Sequence, residues 1–168
     1  MRNVALICTA VAGLALGAAP HPDFSGSWKM DPARSESAHQ DVPLTGTSTL
    51  VITQAPASIT IEATRAEDNR PTAFHELLTF QLDGSETPST GAGGATVTGK
   101  AHWEGNQLVA ETVRNVEDST VTTRYVYALS PNSQVLTVDK TLTVQHGYMG
   151  RSAPTMGHGK DTFVRVRQ

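Results

Sequence analysis

The sequence predicts an all-β protein, an antiparallel up-and-down barrel of about nine strands, with a two-sheet β-sandwich as the alternative. Three observations lead there. Thr, Val and Gly are abundant, and β-branched side chains suit a pleated, half-buried surface. Short segments of alternating apolar and polar residues, separated by turn residues, follow one another from residue 24 to the C-terminus. No segment between them has the length and period of a helix that could cross over to a parallel strand.

The chain opens on Met1-Arg2-Asn3, a short basic start, followed by an apolar run over residues 4–16 and the small residues Gly17-Ala18-Ala19. That order is the pattern of a secretory signal peptide, and the run is shorter than the roughly 20 apolar residues a membrane span needs. We read residues 1–19 as the signal and residues 20–168 as one barrel domain, exported to the periplasm or the exterior. Pro20 disfavours cleavage after Ala19, so a cut after Ala18 fits equally. Cys8 is the only cysteine and lies inside the signal, so the domain has neither a disulfide nor a thiol nucleophile. The net charge of −3 is scattered, with no basic stripe for nucleic acid and no block of like charge for a membrane surface.

The strands follow in order. Residues 24–30 form the first, ended by Asp31-Pro32, because Pro cannot donate to a ladder. Residues 33–46 read as loop. Residues 48–54 place Leu50 and Ile52 on one face, and residues 58–64 return with Ile59, Ile61 and Ala63. After a charged loop, residues 72–82 carry Phe74, Leu78, Phe80 and Leu82 at period two. Residues 83–95, with Gly84, Gly91, Gly93 and Gly94, read as a flexible loop. They lack the Gly-Lys-Ser/Thr ending of a phosphate-binding loop.

Two hairpins fix their own register. Gly105-Asn106 is a two-residue primed turn, which pairs Glu104 with Gln107. Counting outward sets Trp103 against Leu108, Ala101 against Ala110 and Gly99 against Thr112 on the inward face, with Lys100 against Glu111 outside. The turn at residues 130–134 sets Leu129 near Leu136, Tyr127 near Val138 and Tyr125 near Lys140. Residues 145–160 read as a loop, long for a compact domain. Residues 161–167 form the last strand, with Phe163, Arg165 and Arg167 on one face.

Residues 24–35, Phe-Ser-Gly-Ser-Trp-Lys-Met-Asp-Pro-Ala-Arg-Ser, resemble the opening of secreted bacterial lipocalin-like proteins of the calycin type. The hairpin Trp103-Glu104-Gly105-Asn106-Gln107-Leu108-Val109 is similar to theirs, as is Leu129-Ser130-Pro131 followed by Leu136-Thr137-Val138. Asn132-Ser133 departs from the Asp-Gly often found in that turn, leaving Ser133 to adopt a left-handed conformation that Gly takes freely. The resemblance implies a barrel and small-molecule binding rather than a reaction. It also implies that Trp28, in Gly26-Ser27-Trp28, is covered by an Arg from the last strand, Arg165 or Arg167. The opening of periplasmic lipid-binding proteins is similar over residues 28–35.

Four groups of residues are candidate sites. Gly99, Ala101 and Ala110 beside Trp103 leave volume inside the barrel, either a cavity for an apolar or amphipathic ligand or the taper of a narrow, filled barrel presenting its loops to a partner. Lys140 and Glu76 fall in phase with apolar positions, where a charge must be paired or wet. Lys140, with Tyr125 near it, would then hold a ligand carboxylate. The bland alternatives are a strand-end side chain reaching water, or a register slip that turns it outward. His146, Met149, Met156 and His158 suit copper by ligand type, but no ligand spacing recurs among them, so we assign no metal and no cofactor. Nucleophile-base motifs are missing and we expect no enzyme activity. If the signal is cleaved as read, mass mapping of the exported protein will place its N-terminus between Ala18 and His21; an intact Met1 on exported protein would overturn the reading.

Overall fold

The computed structural model describes residues 21–36, 47–67, 70–147 and 153–167, so the signal segment lies outside the described residues. Ten strands run in sequence: β1 Gly26–Met30, β2 Thr47–Gln54, β3 Ser58–Glu67, β4 Arg70–Gln81, β5 Thr87–Thr90, β6 Thr96–Glu104, β7 Gln107–Val116, β8 Ser119–Leu129, β9 Val135–His146 and β10 Thr155–Arg165. Each pairs antiparallel with the next, and β1 pairs with β10, so the sheet closes into a barrel rather than splitting into a sandwich. Among the described residues no helix is long and apolar enough to cross a membrane.

The two hairpins take the register counted from their turns. Trp103 faces Leu108, Ala101 faces Ala110, and Gly99 faces Thr112 around Gly105, whose φ of 60° the turn requires. Leu129 faces Leu136, Tyr127 faces Val138, and Tyr125 faces Lys140. Ser133 does adopt the left-handed region, at φ 54°. Lys100 and Glu111 pair on the outer face at 3.0 Å, a solvated contact that contributes little.

Three segments read as loops contain strand, the first being the charged loop of residues 65–71, which β3 enters to Glu67 and β4 from Arg70. Thr87–Thr90 is a short strand, which raises the count to ten. It meets β4 at Leu77–Thr90, and the Ser89 hydroxyl bridges the seam, accepting from the Thr79 N–H and donating to the Thr79 carbonyl, both at 2.9 Å. Residues 155–160 pair with β9 over their whole length despite Gly157 and Gly159, because β9 extends to His146 and offers a ladder there.

The base of the barrel is where the core is densest. Phe24, Trp28, Phe80, Ile59, Leu108 and Leu136 are its largest fully buried side chains. The Trp28 indole N–H donates to the Phe24 carbonyl at 3.0 Å, and Gln54 fixes the same segment by accepting from the Phe24 N–H and donating to the Pro22 carbonyl. The Arg165 guanidinium lies 4.1 Å from the Trp28 ring centroid, a cation–π contact worth about 0.5–2 kcal/mol. Its Nη1 donates to the Ser25 carbonyl at 2.6 Å and its Nε to the Ser133 carbonyl at 2.8 Å. Arg167 lies beyond the end of β10, exposed. Gly26 is required here twice over: its φ is +133°, and a Cβ would stand 2.5 Å from Arg165 Nη1. Trp28→Ala will cost about 3–5 kcal/mol, as large aromatic truncations in cores do, read as a lowered urea midpoint; an unchanged midpoint would contradict this account of the base.

Candidate functional site in the barrel interior

Side chains alternate across a strand, so the register decides which ones share the interior with Trp103 and Leu108. On β7 they are Ala110, Thr112 and Arg114. On β8 they are Tyr127, Tyr125, Thr123 and Val121, and on β9 Leu136, Val138, Lys140, Leu142 and Val144. On β10 the inward positions are Phe163, Asp161, Gly159 and Gly157, and Glu76 faces Ala63 on the opposite wall.

These inward positions divide into two storeys. In the base, Tyr127, Leu136, Val138, Phe163, Ala101 and Ala110 are buried against one another. Above it, Tyr125, Thr123, Leu142 and Val144 point inward and are only partly buried, and the Lys140 side chain keeps 31% of its surface. A side chain that faces the inside of a closed barrel and still meets solvent borders open space. The inward side chains that keep contact with solvent therefore lie in the upper storey.

Of the residues expected to border a cavity, Gly99, Ala101 and Ala110 lie in the packed base. Gly99 borders no open space, because a Cβ there would stand 2.6 Å from Cε1 of Phe80, whose ring fills the volume the glycine leaves. Ala101 and Ala110 are 0% and 1% exposed in the same packed layer. Trp103 is covered from below: the His21 ring stacks on it at 4.3 Å and Phe24 lies at 5.8 Å. Small residues on β6 and β7 thus make room for rings from other strands rather than for a ligand.

The upper storey holds the polar groups. The Lys140 ammonium donates to Oδ2 of Asp161, whose side chain is only 5% exposed. Asp161 was not singled out in the sequence. Its position two residues before Phe163 put it on the inward face, and pairing with Lys140 is what permits a buried carboxylate there. Lys140 is accordingly no free handle for a ligand carboxylate. The Tyr125 hydroxyl hydrogen-bonds the side chains of Thr112 and Thr123, while burial and then the Glu76 carboxylate push its phenol up to about 12. Burial, Tyr125, Glu76 and Asp161 hold the Tyr127 phenol well above its ordinary value. Both phenols stay protonated at neutral pH and can donate hydrogen bonds. Glu76 reaches this layer from β4 and is itself engaged.

The His/Met group does not assemble. His146 shares the inward phase of Val144 and lies 3.1 Å from the Ser119 hydroxyl, whereas His158 points outward to Thr141 at 3.2 Å. Met156 is on the outer face, and Met149 lies outside the described residues. Among the described residues no group of three or more His, Cys, Asp or Glu is placed to hold a metal ion.

No protein-family model matches the sequence, and no curated protein matches it. Solved structures do match its fold. The chain is similar to the REP1-NXSQ fatty acid transporter, at 13% identity and a TM-score of 0.55 over 86% of this chain and 97% of that one. It is also similar to fatty-acid-binding protein 1 of Echinococcus granulosus, at 14% identity and a TM-score of 0.54 over 86% and 98%. A secretory abundant heat soluble protein from Ramazzottius varieornatus matches at 13% identity and a TM-score of 0.53 over 85% and 95%. At these identities they establish the all-β closed barrel as a shared fold. Because the base is full, Ala101→Phe will overpack it and cost about 1–3 kcal/mol in chemical unfolding; unchanged or higher stability would mean that space was left beside Ala101 after all.

Proposed function

We propose that this chain is an exported, lipocalin-like, non-catalytic carrier that holds a small apolar or amphipathic molecule in the upper storey of its barrel. One observation carries the reading: Tyr125, Lys140, Leu142 and Val144 face inward, yet keep contact with solvent above a base that is packed shut. Apolar walls with a few convergent polar groups are the usual composition of a small-molecule site. Two similar folds are named as a fatty acid transporter and a fatty-acid-binding protein, which supports an apolar or amphipathic cargo. The signal pattern of residues 1–19 and the resemblance to secreted bacterial lipocalin-like proteins support export.

The packing of Phe80 over Gly99 favours one competing reading, a wholly filled barrel acting as an interaction module. Titration with a neutral fluorescent apolar probe separates the two. The carrier reading expects saturable binding that Leu142→Trp weakens by about tenfold or more, because the indole occupies the upper space without overfilling the base. No saturable binding by the wild type, together with a loss of about 1–3 kcal/mol of stability in Leu142→Trp, would reject the carrier and leave the filled module.

A further inference from the structure

We propose that the space above the packed base measures its cargo: it takes single-chain amphiphiles up to about ten to twelve carbons long when extended, and the Tyr127–Val138 floor sets that limit. The inference rests on the carrier reading and names the size class of its ligand.

Strands from all round the barrel contribute to the floor. Ile61 of β3, Phe80 of β4, Ala110 of β7, Tyr127 of β8, Val138 of β9 and Phe163 of β10 are each no more than 3% exposed. Gly99 leaves no gap among them, because the Phe80 ring occupies the place of its side chain. Tyr125 lies one inward step above: its ring centroid is 6.0 Å from that of Tyr127, with the planes 24° apart. Tyr127 pairs with Val138 and Tyr125 with Lys140, so on both strands burial gives way within that single step. A chain entering from the other end of the barrel stops at the level of Tyr125 and Lys140.

The height above that level follows from the ladder. Inward positions continue through Leu142 and Val144 to His146 on β9, and through Thr123 and Val121 to Ser119 on β8. Both runs end together at the rim, where the Ser119 hydroxyl lies 3.1 Å from Nδ1 of His146. From Lys140 to His146 the strand rises about 20 Å, which the usual tilt of a closed barrel reduces to about 15 Å of depth. An extended alkyl chain advances about 1.25 Å per carbon, from its bond length and angle, so about ten to twelve carbons span the space.

The cross-section gives a longer chain little room to fold back on itself. Tyr125 and Lys140 project from one wall and Glu76 from the opposite one, near enough for its carboxylate to be felt at the Tyr125 hydroxyl. Above them Val121, Leu142 and Val144 form an apolar belt that ends at the polar rim pair. Whichever end of the ligand enters first, carbons beyond the rim stand in water and gain no burial.

The test is displacement of N-phenyl-1-naphthylamine from the purified protein by the 1-alkanols from hexanol to tetradecanol, which share one uncharged head and differ only in length. Up to the limit, each added carbon should strengthen displacement by up to about fourfold, and beyond about ten to twelve carbons by less than about twofold. Tyr127→Val removes the ring beneath Tyr125 and should carry the break about two carbons further. A break imposed by alkanol solubility would stay where it was. Val138→Ala, a milder cut in the same floor, should move it in the same direction. A gain undiminished through tetradecanol on the wild type, or a break that neither variant moves, would overturn the length limit while leaving the carrier reading intact. Failure of the wild type to bind the probe at all would instead remove the carrier reading and this inference with it. The wild-type series and Val138→Ala decide the matter even if Tyr127→Val does not fold.

Discussion

Arg165 stands where the first and last strands meet, and the closure of the barrel depends on what it joins. The ladder between β1 and β10 is short: Trp28–Arg165, Lys29–Val164 and Met30–Phe163. Backbone pairing of that length is a weak seam beside the long ladders of β2–β3, β7–β8, β8–β9 and β9–β10. Arg165 reinforces it with its guanidinium over Trp28 and hydrogen bonds to the carbonyls of Ser25 and Ser133, while its own N–H donates to Gln134. One side chain thus ties the N-terminal segment, the β8–β9 turn and the last strand. The planar, forked group of arginine can stack and donate in two directions at once, which a lysine ammonium cannot reproduce. Gly26 belongs to the same device, since any side chain there would collide with the guanidinium.

Closing the barrel this way concentrates large rings at one end. Phe24 and Trp28 from the N-terminal segment, Phe80 from β4 and Phe163 from β10 meet in the base, so the walls facing them must be thin. Gly99, Ala101 and Ala110 supply that thinness. Farther up, β8 and β9 offer Thr123, Leu142 and Val144, and β10 offers glycine at 157 and 159. The inward side chains there are only partly buried, and a charge pair, Lys140 with Asp161, stands beside them. A dry void would have to be apolar; a wet one tolerates Lys140, Asp161, Glu76 and Tyr125 provided each is paired.

The parts of this arrangement that were legible in the sequence are those set by local geometry. A primed turn at Gly105-Asn106 leaves one register, and counting from it gave the true cross-strand partners through Gly99 and Thr112. The same held for Tyr125 and Lys140. β5 was illegible because Thr87-Pro88-Ser89-Thr90 has no apolar alternation and is fastened by the Ser89 side chain instead of a full ladder. The first half of β10 was illegible because Gly157 and Gly159 read as loop until β9 is seen to run alongside. The packing around Gly99 was illegible for a different reason. Residue volumes on one wall reveal where space is left, but what fills it comes from a strand distant in sequence, here Phe80. The partner of Lys140 was hidden in the same way, lying across the sheet at Asp161.

Closure and site are finally the same constraint, because β10 carries both. Its inward positions in succession are Asp161, Phe163 and Arg165: the carboxylate of the ion pair, a core ring and the clasp over Trp28. Its outer face is pinned as well, since the Thr162 N–H donates to the Ser35 hydroxyl and the Thr162 hydroxyl donates to the Arg34 carbonyl. A slip of one residue would turn all three inward groups out of the barrel and leave Lys140 without its carboxylate. The stacking of Arg165 on Trp28 opposes that slip at the base, and the Lys140–Asp161 pair opposes it in the upper storey. The interaction that shuts one end of the barrel therefore also sets the charge balance of the space above it.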